Sequence, residues 1–144
     1  MNESSFWTYL KGVMAQCWEA TRIETSTALG VPDVTYTIPQ GHGWIELKYL
    51  QAFPKRATTA VRLAHFTDAQ KNWMRQRGRL ADAVWLFVRV GNEFFLFDWC
   101  QALECETWTA GEWRQQARGF WAGRLDPLAV FKVLKTGGVG EGRG

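Results

Sequence analysis

The chain has 144 residues, 47% of them apolar and 22% charged, with a formal net charge of +3. That length and apolar content suit one folded domain with its own core. No apolar run approaches bilayer thickness, and with only His42, His65, Cys17, Cys100 and Cys105 available, none at metal-binding spacing, a His/Cys zinc site is not expected.

Residues 4–18 carry Phe6, Trp7, Leu10, Val13, Met14, Cys17 and Trp18 at helical steps, so they predict an amphipathic helix capped by Asn2 or Ser4. TRIETST (21–27) reads as a short strand. DVTYTI (33–38) and WIELKYL (44–50) alternate and read as a hairpin around the turn cluster PQGHG (39–43). Residues 51–66 lack a period and read as a loosely structured excursion. TDAQKNWMRQRG (67–78) reads as a helix, with Thr67 and Gln70 forming a capping box and Gly78 as its stop. AVWLFVRV, GN and EFFLFDW (83–99) read as a second hairpin. Asp126-Pro127 opens a closing helix over 127–135. The Gly-rich residues 136–144 read as a flexible tail, leaving 1–135 as one domain. The order predicts an α/β or α+β architecture in which helices cover one mixed central sheet.

Two features point to chemistry. Glu46 and Lys48 are two apart on a strand and share a face with Trp44, while Ile45, Leu47 and Tyr49 face the other way. If the hairpin turns at 39–43, Asp33 lies at the end of the partner strand toward which Glu46 and Lys48 run. Two convergent carboxylates with a backbone carbonyl suit a hard divalent cation such as Mg²⁺. The cation would polarise a phosphate and activate water, and a lysine beside it would orient that water or stabilise charge. The competing reading is an exposed ion pair contributing about 0–1 kcal/mol. The second feature is charge. Between residues 48 and 79 there are eight basic residues and one acid, Asp68. Such a single-sign block is a candidate polyanion footprint, with Lys55, Arg56, Arg62, Lys71 and Arg75 as the candidate contacts. The nine Trp are read first as core filling and second as base-stacking groups.

GVPD and WIELK, whose PD and ELK are separated by twelve residues, and then FTDAQKNWM together resemble the signature of the PD-(D/E)XK nuclease superfamily. Within it they are most similar to VRR-NUC-type nucleases and archaeal-type Holliday-junction resolvases. The resemblance spans roughly residues 20–90. It implies a restriction-endonuclease-like core: a helix, a three-stranded antiparallel meander, a helix and further strands. It implies Asp33, Glu46 and the Leu47 carbonyl as metal ligands, with Lys48 as the catalytic lysine. Gln70 would line the site, cap its helix, or do both. A Glu on the first helix completes many such sites. Here the candidates are Glu3, Glu19 and Glu24, with Glu3 preferred for its position near the helix start. The implied activity is Mg²⁺-dependent cleavage of DNA, with Mn²⁺ as substitute and branched or Holliday-junction DNA as the substrate. Resolvase-like members act as homodimers. The long basic segment between Lys48 and Thr67 departs from the pattern.

Two other readings belong to different classes. One is a non-catalytic nucleic-acid binder that keeps the fold. The other is a partner-binding regulator whose interface is an exposed cluster of Trp108, Trp113 and Trp121. An export signal is not expected from MNESSFWTYLKGVMAQ, which has neither a basic start nor a continuous apolar run. Reduced cysteines and the cytoplasm are therefore expected, a host cell's cytoplasm if the chain is viral.

Overall fold

A computed structural model describes residues 2–23 and 29–138. The first element is α1 (Glu3–Val13), capped by Asn2, whose side chain accepts from the Ser5 N–H. It ends five residues earlier than its periodicity suggests. Residues 14–17 form turns, and these carry Met14 and Trp18 into the same core that the helix faces.

Six strands form one sheet in the order β1 (Glu19–Arg22), β2 (Val34–Ile38), β3 (Gly41–Leu50), β4 (Ala83–Val90), β5 (Glu93–Asp98) and β6 (Gly119–Ala122). All neighbours are antiparallel except β3 and β4, which are parallel. A parallel pair needs a crossover. Here it consists of residues 51–67 and the helix α2 (Asp68–Arg79). The fold is therefore mixed α+β around one mixed sheet. It keeps the expected order of helix, three-stranded meander, helix and further strands.

Several boundaries differ from expectation for identifiable reasons. The first strand lies at 19–22 rather than 21–27. Residues 24–28 of that expectation, and with them Glu24, are outside the described residues, as are 139–144 of the tail. The first hairpin turns at Pro39-Gln40, and β3 already begins at Gly41. Gly43 makes this possible, because a Cβ there would lie 2.3 Å from the Tyr36 hydroxyl, whose ring crosses it. Gly78 does not stop α2 but lies inside it, where a Cβ would overlap the Trp99 ring. Beyond β5 the chain adds α3 (Trp99–Glu104), a 3₁₀ turn, α4 (Ala110–Gln116), β6 and α5 (Pro127–Leu134). Asp126 caps α5 through the Leu128 and Ala129 N–H groups, with Pro127 at the first helical position.

The sheet separates two apolar layers. Phe6, Leu10, Tyr36, Ile45, Leu47, Phe87 and Phe94 pack with α1 and α5 on one face. Met74, Leu86, Val88, Phe95, Phe97 and Trp113 pack with α2, α3 and α4 on the other. Residues 51–66 form no regular element, but they are not loose. Val61, Leu63 and Phe66 are buried in the second layer, and the Val61 N–H donates to the Trp108 carbonyl at 2.8 Å. The segment is a strap, fixed to the layer that also holds α2. Trp113 is fully buried, with its indole N–H donating to the Cys105 carbonyl, and Trp108 and Trp121 are half-buried against opposite layers. The exposed Trp cluster that a partner-binding regulator would need is therefore not formed. No helix among the described residues is long and apolar enough to cross a membrane.

Candidate active site

The strand register explains how the site forms. Val34 pairs with Ile45, so the next step along places Asp33 opposite Glu46. The Asp33 carbonyl accepts from Ile23, continuing the β1–β2 ladder. Its side-chain Oδ2 accepts from the Leu47 N–H at 3.0 Å. Gly30 sets the approach of this segment. Its φ is +81°, and a Cβ would lie 2.3 Å from the Ala69 carbonyl oxygen, so the GVPD stretch can press against the first turn of α2 only with glycine there.

Glu46 is 1% and Lys48 3% exposed. The Asp33 carboxyl lies beside Glu46, close enough for its side chain and its charge both to act on the Glu46 carboxyl. Burial, then the Asp33 bond and charge, push the Glu46 carboxyl up to about 10, against the opposing pull of Lys48. The Lys48 ammonium is 3.6 Å from Glu46 Oε2 and donates to the His65 carbonyl at 2.9 Å. His65 has φ of +63°, a left-handed conformation uncommon outside glycine, at the end of the strap. The strap thus contributes a main-chain acceptor that fixes Lys48.

Gln70 serves both suggested purposes. Its Oε1 accepts from the Thr67 N–H in the capping box, while its Nε2 lies 3.5 Å from Glu46 Oε2. Glu3, half-buried at the start of α1, is within electrostatic reach of Lys48 and Asp33, and burial raises its pKa. It borders an open depression lined by Asn2, Ser4, Arg22, Tyr49 and His65. Glu19 lies elsewhere, exposed and paired with Thr37 toward the far end of the sheet.

Among the described residues no three or more His, Cys, Asp or Glu side chains form a group able to hold a metal ion by themselves. The Asp33–Glu46 pair nevertheless fits a divalent cation on its own chemistry. Glu46 Oε1 is buried without a hydrogen-bond partner, and burial together with the neighbouring Asp33 raises the Glu46 pKa, a strain on the carboxylate that a cation would relieve. Leu47 adds a backbone acceptor on the strand edge that faces Asp33.

The basic block divides by environment. Lys55, Arg56 and Arg62 are exposed on the strap, and Arg75 is exposed on α2, where it donates to Asn72. Lys71 is not a free surface cation. It pairs with Glu106 at 2.7 Å and lies over the Phe66 ring, while the other Glu106 oxygen accepts from the Leu63 N–H of the strap. Sequence reasoning missed His65, because its contribution is a carbonyl oxygen that every residue type carries. Its only sequence-level signal is a polar residue just before a helix cap.

No protein-family model and no curated protein matches the chain. Among solved structures the chain is similar to the Holliday junction resolvase Hjc of Archaeoglobus fulgidus, an archaeal hyperthermophile. The identity is 14% and the TM-score 0.48, over 69% of this chain and 74% of that one. A likeness of this extent leaves the chemistry to the chain's own residues.

Proposed function

We propose that the protein is a Mg²⁺-dependent endonuclease that hydrolyses DNA phosphodiester bonds. The observation that carries this reading is the Asp33–Glu46 carboxylate pair, half-buried at Asp33 and fully buried at Glu46, with an orphaned Glu46 oxygen and the Lys48 ammonium beside it. A purely structural ion pair has no use for a second carboxylate at a site where charge is so expensive.

Asp33, Glu46 and the Leu47 carbonyl would hold the cation. When bound, Mg²⁺ supplies Lewis-acid polarisation of a phosphate and lowers the pKa of a water. Lys48, held in place by the His65 carbonyl, presents a fixed positive charge where negative charge builds on the phosphate oxygens. Gln70 would help orient Glu46 through the same Oε2 that Lys48 approaches. Glu3 lies where the open depression meets the site and can accept a proton from an incoming water. The exposed strap cations Lys55, Arg56 and Arg62 would hold the backbone through phosphate contacts, which position a substrate without reading its sequence. Branched or junction DNA is the substrate favoured by the resemblance of GVPD, WIELK and FTDAQKNWM to resolvase-type nucleases.

The test is incubation of the full chain with linear, flapped and four-way-junction DNA, in Mg²⁺ and in chelator. Cleavage in Mg²⁺ alone, lost in Asp33→Asn, is the expected result. A folded protein that cuts none of the panel in Mg²⁺ or Mn²⁺ overturns the reading.

A further inference from the structure

On the face of the sheet that carries Glu46 and Lys48, the part of β1–β3 next to the carboxylates is left open among the described residues. Residues paired across antiparallel strands point the same way. The register therefore gives two rows beside the carboxylates: Thr21, Thr35 and Trp44, then Glu19, Thr37 and His42. The alternate residues Tyr36, Val34 and Ile45 are buried beneath α1. On the side of the two rows, Thr21, Thr37, Glu19 and His42 are exposed, and Thr35 and Trp44 are half-buried. Among the described residues, nothing covers this floor.

Trp44 is its only aromatic side chain apart from His42, and the two rings meet edge to face at 5.2 Å. On the other side Trp44 meets Trp73 of α2 at 5.1 Å, and the Arg77 guanidinium lies 4.9 Å from the Trp73 ring. The Thr35 hydroxyl is 3.1 Å from His42 Nε2, which fixes the imidazole. The result is a ring wall standing beside a floor of hydroxyls. Its α2 border carries the exposed Arg77, one turn beyond Trp73 and paired with Asp82. Trp44 is two residues before Glu46 on the same face, a distance of about 7 Å along the strand. That is on the scale of one nucleotide of an extended chain.

Taking the nuclease reading as its basis, we propose that this floor is a binding platform for an unpaired nucleotide next to the phosphate to be cut, with its base stacked on Trp44. Three features select that occupant. Stacking on an indole needs a base whose face is free, and a duplex buries its base faces. Threonine hydroxyls and an imidazole are hydrogen-bonding partners for sugar and phosphate oxygens. Arg77, beside Trp73 at the border of the platform, is placed to neutralise a phosphate of the same strand. The substrate class is therefore DNA with single-stranded nucleotides beside the cleavage point, such as a flap, rather than a continuous duplex.

The experiment measures affinity in Ca²⁺ for three labelled DNAs: a blunt duplex, the same duplex with a single-stranded flap, and the flap strand alone. The proteins are the full chain, Trp44→Ala and Trp44→Phe. Trp44→Ala is expected to weaken flap and single-strand binding roughly 5- to 100-fold, the range for losing one stacked base. Blunt-duplex binding should stay within about twofold, and Trp44→Phe should recover most of the loss. Should Trp44→Ala not fold, 2-aminopurine in the flap reports stacking on the unaltered protein, and its fluorescence should be quenched on binding. Equal losses on all three DNAs, no loss, or no quenching overturns the platform. A Trp44-dependent flap preference without cleavage in Mg²⁺ keeps the platform and overturns the nuclease reading. Cleavage indifferent to Trp44 and to the flap does the reverse.

Discussion

Glu46→Gln should stabilise the metal-free protein near neutral pH and abolish its response to divalent cations. Glu46 is 1% exposed, one of its oxygens has no partner, and its carboxyl is pushed up to about 10 from 4.5. The folded protein therefore keeps a proton on Glu46 that the unfolded chain releases near 4.5. The stability tied to that proton is complete below about pH 4.5 and is lost progressively as pH rises toward about 10. Glutamine does not titrate, and its amide can donate to the neighbouring Asp33 carboxylate. A buried polar group left without a partner costs about 1–3 kcal/mol. At roughly 2–4 °C per kcal/mol for a chain of this size, the variant should melt roughly 3–10 °C higher than the parent in chelator at about pH 8. The difference should close toward about pH 5, where the unfolded parent chain also begins to hold the proton. Saturating Ca²⁺ should raise the parent's Tm at the higher pH, by roughly 3 kcal/mol of linkage at a hundredfold excess over Kd, and leave the variant unmoved. Thermal unfolding followed by circular dichroism across this pH range, with and without Ca²⁺, measures all three quantities. A variant melting at or below the parent at about pH 8, with the same pH slope, would refute the strained carboxylate pair.

His65→Gly should retain cleavage, since glycine adopts the left-handed backbone that aims the carbonyl at Lys48. His65→Val should lower kcat roughly tenfold with KM little changed, as a β-branched residue resists that conformation; steady-state kinetics on both variants checks this. Replacing Lys55 and Arg56 together with Ala should shallow the salt dependence of DNA affinity by roughly one per lost phosphate contact. Lys71→Ala should leave that slope unchanged and lower Tm, because Lys71 is engaged with Glu106 rather than offered to solvent. A titration series in salt separates the two cases. Trp113→Ala should cost about 3–5 kcal/mol of stability, as a fully buried indole with its N–H satisfied; denaturant unfolding measures it.

Much of this arrangement is legible in the residues, and the gaps have physical causes. Strand parity places Glu46 and Lys48 on one face, because the side-chain period of a strand is two, and the hairpin brings Asp33 to their end; that Asp33 stands opposite Glu46 itself follows only from the tighter turn at Pro39-Gln40. The α2 cap is legible because Thr67 and Gln70 act within one turn of each other. The stop read at Gly78 fails because glycine there answers a tertiary demand, the approach of Trp99, that no local pattern expresses. Residues 51–66 read as loose because their anchors, Val61, Leu63 and Phe66, have no period. What holds them lies far along the chain, at Glu106 and Trp108. The same distance hides the engagement of Lys71. The edge strand β6 is four residues long, too short for alternation to register. Glu3 could be separated from Glu19 only once the sheet showed which end of the chain meets Asp33.

The central claim is that Asp33 and Glu46 together hold one divalent cation, and direct titration tests it without requiring turnover. Mn²⁺ added to the full chain at about pH 8, followed by electron paramagnetic resonance of the free ion, should show a bound site whose filling releases a proton to the buffer. Asp33→Asn and Glu46→Gln should each abolish that site while remaining folded. Equal Mn²⁺ binding by the parent and both variants, or none by the folded parent, would contradict it.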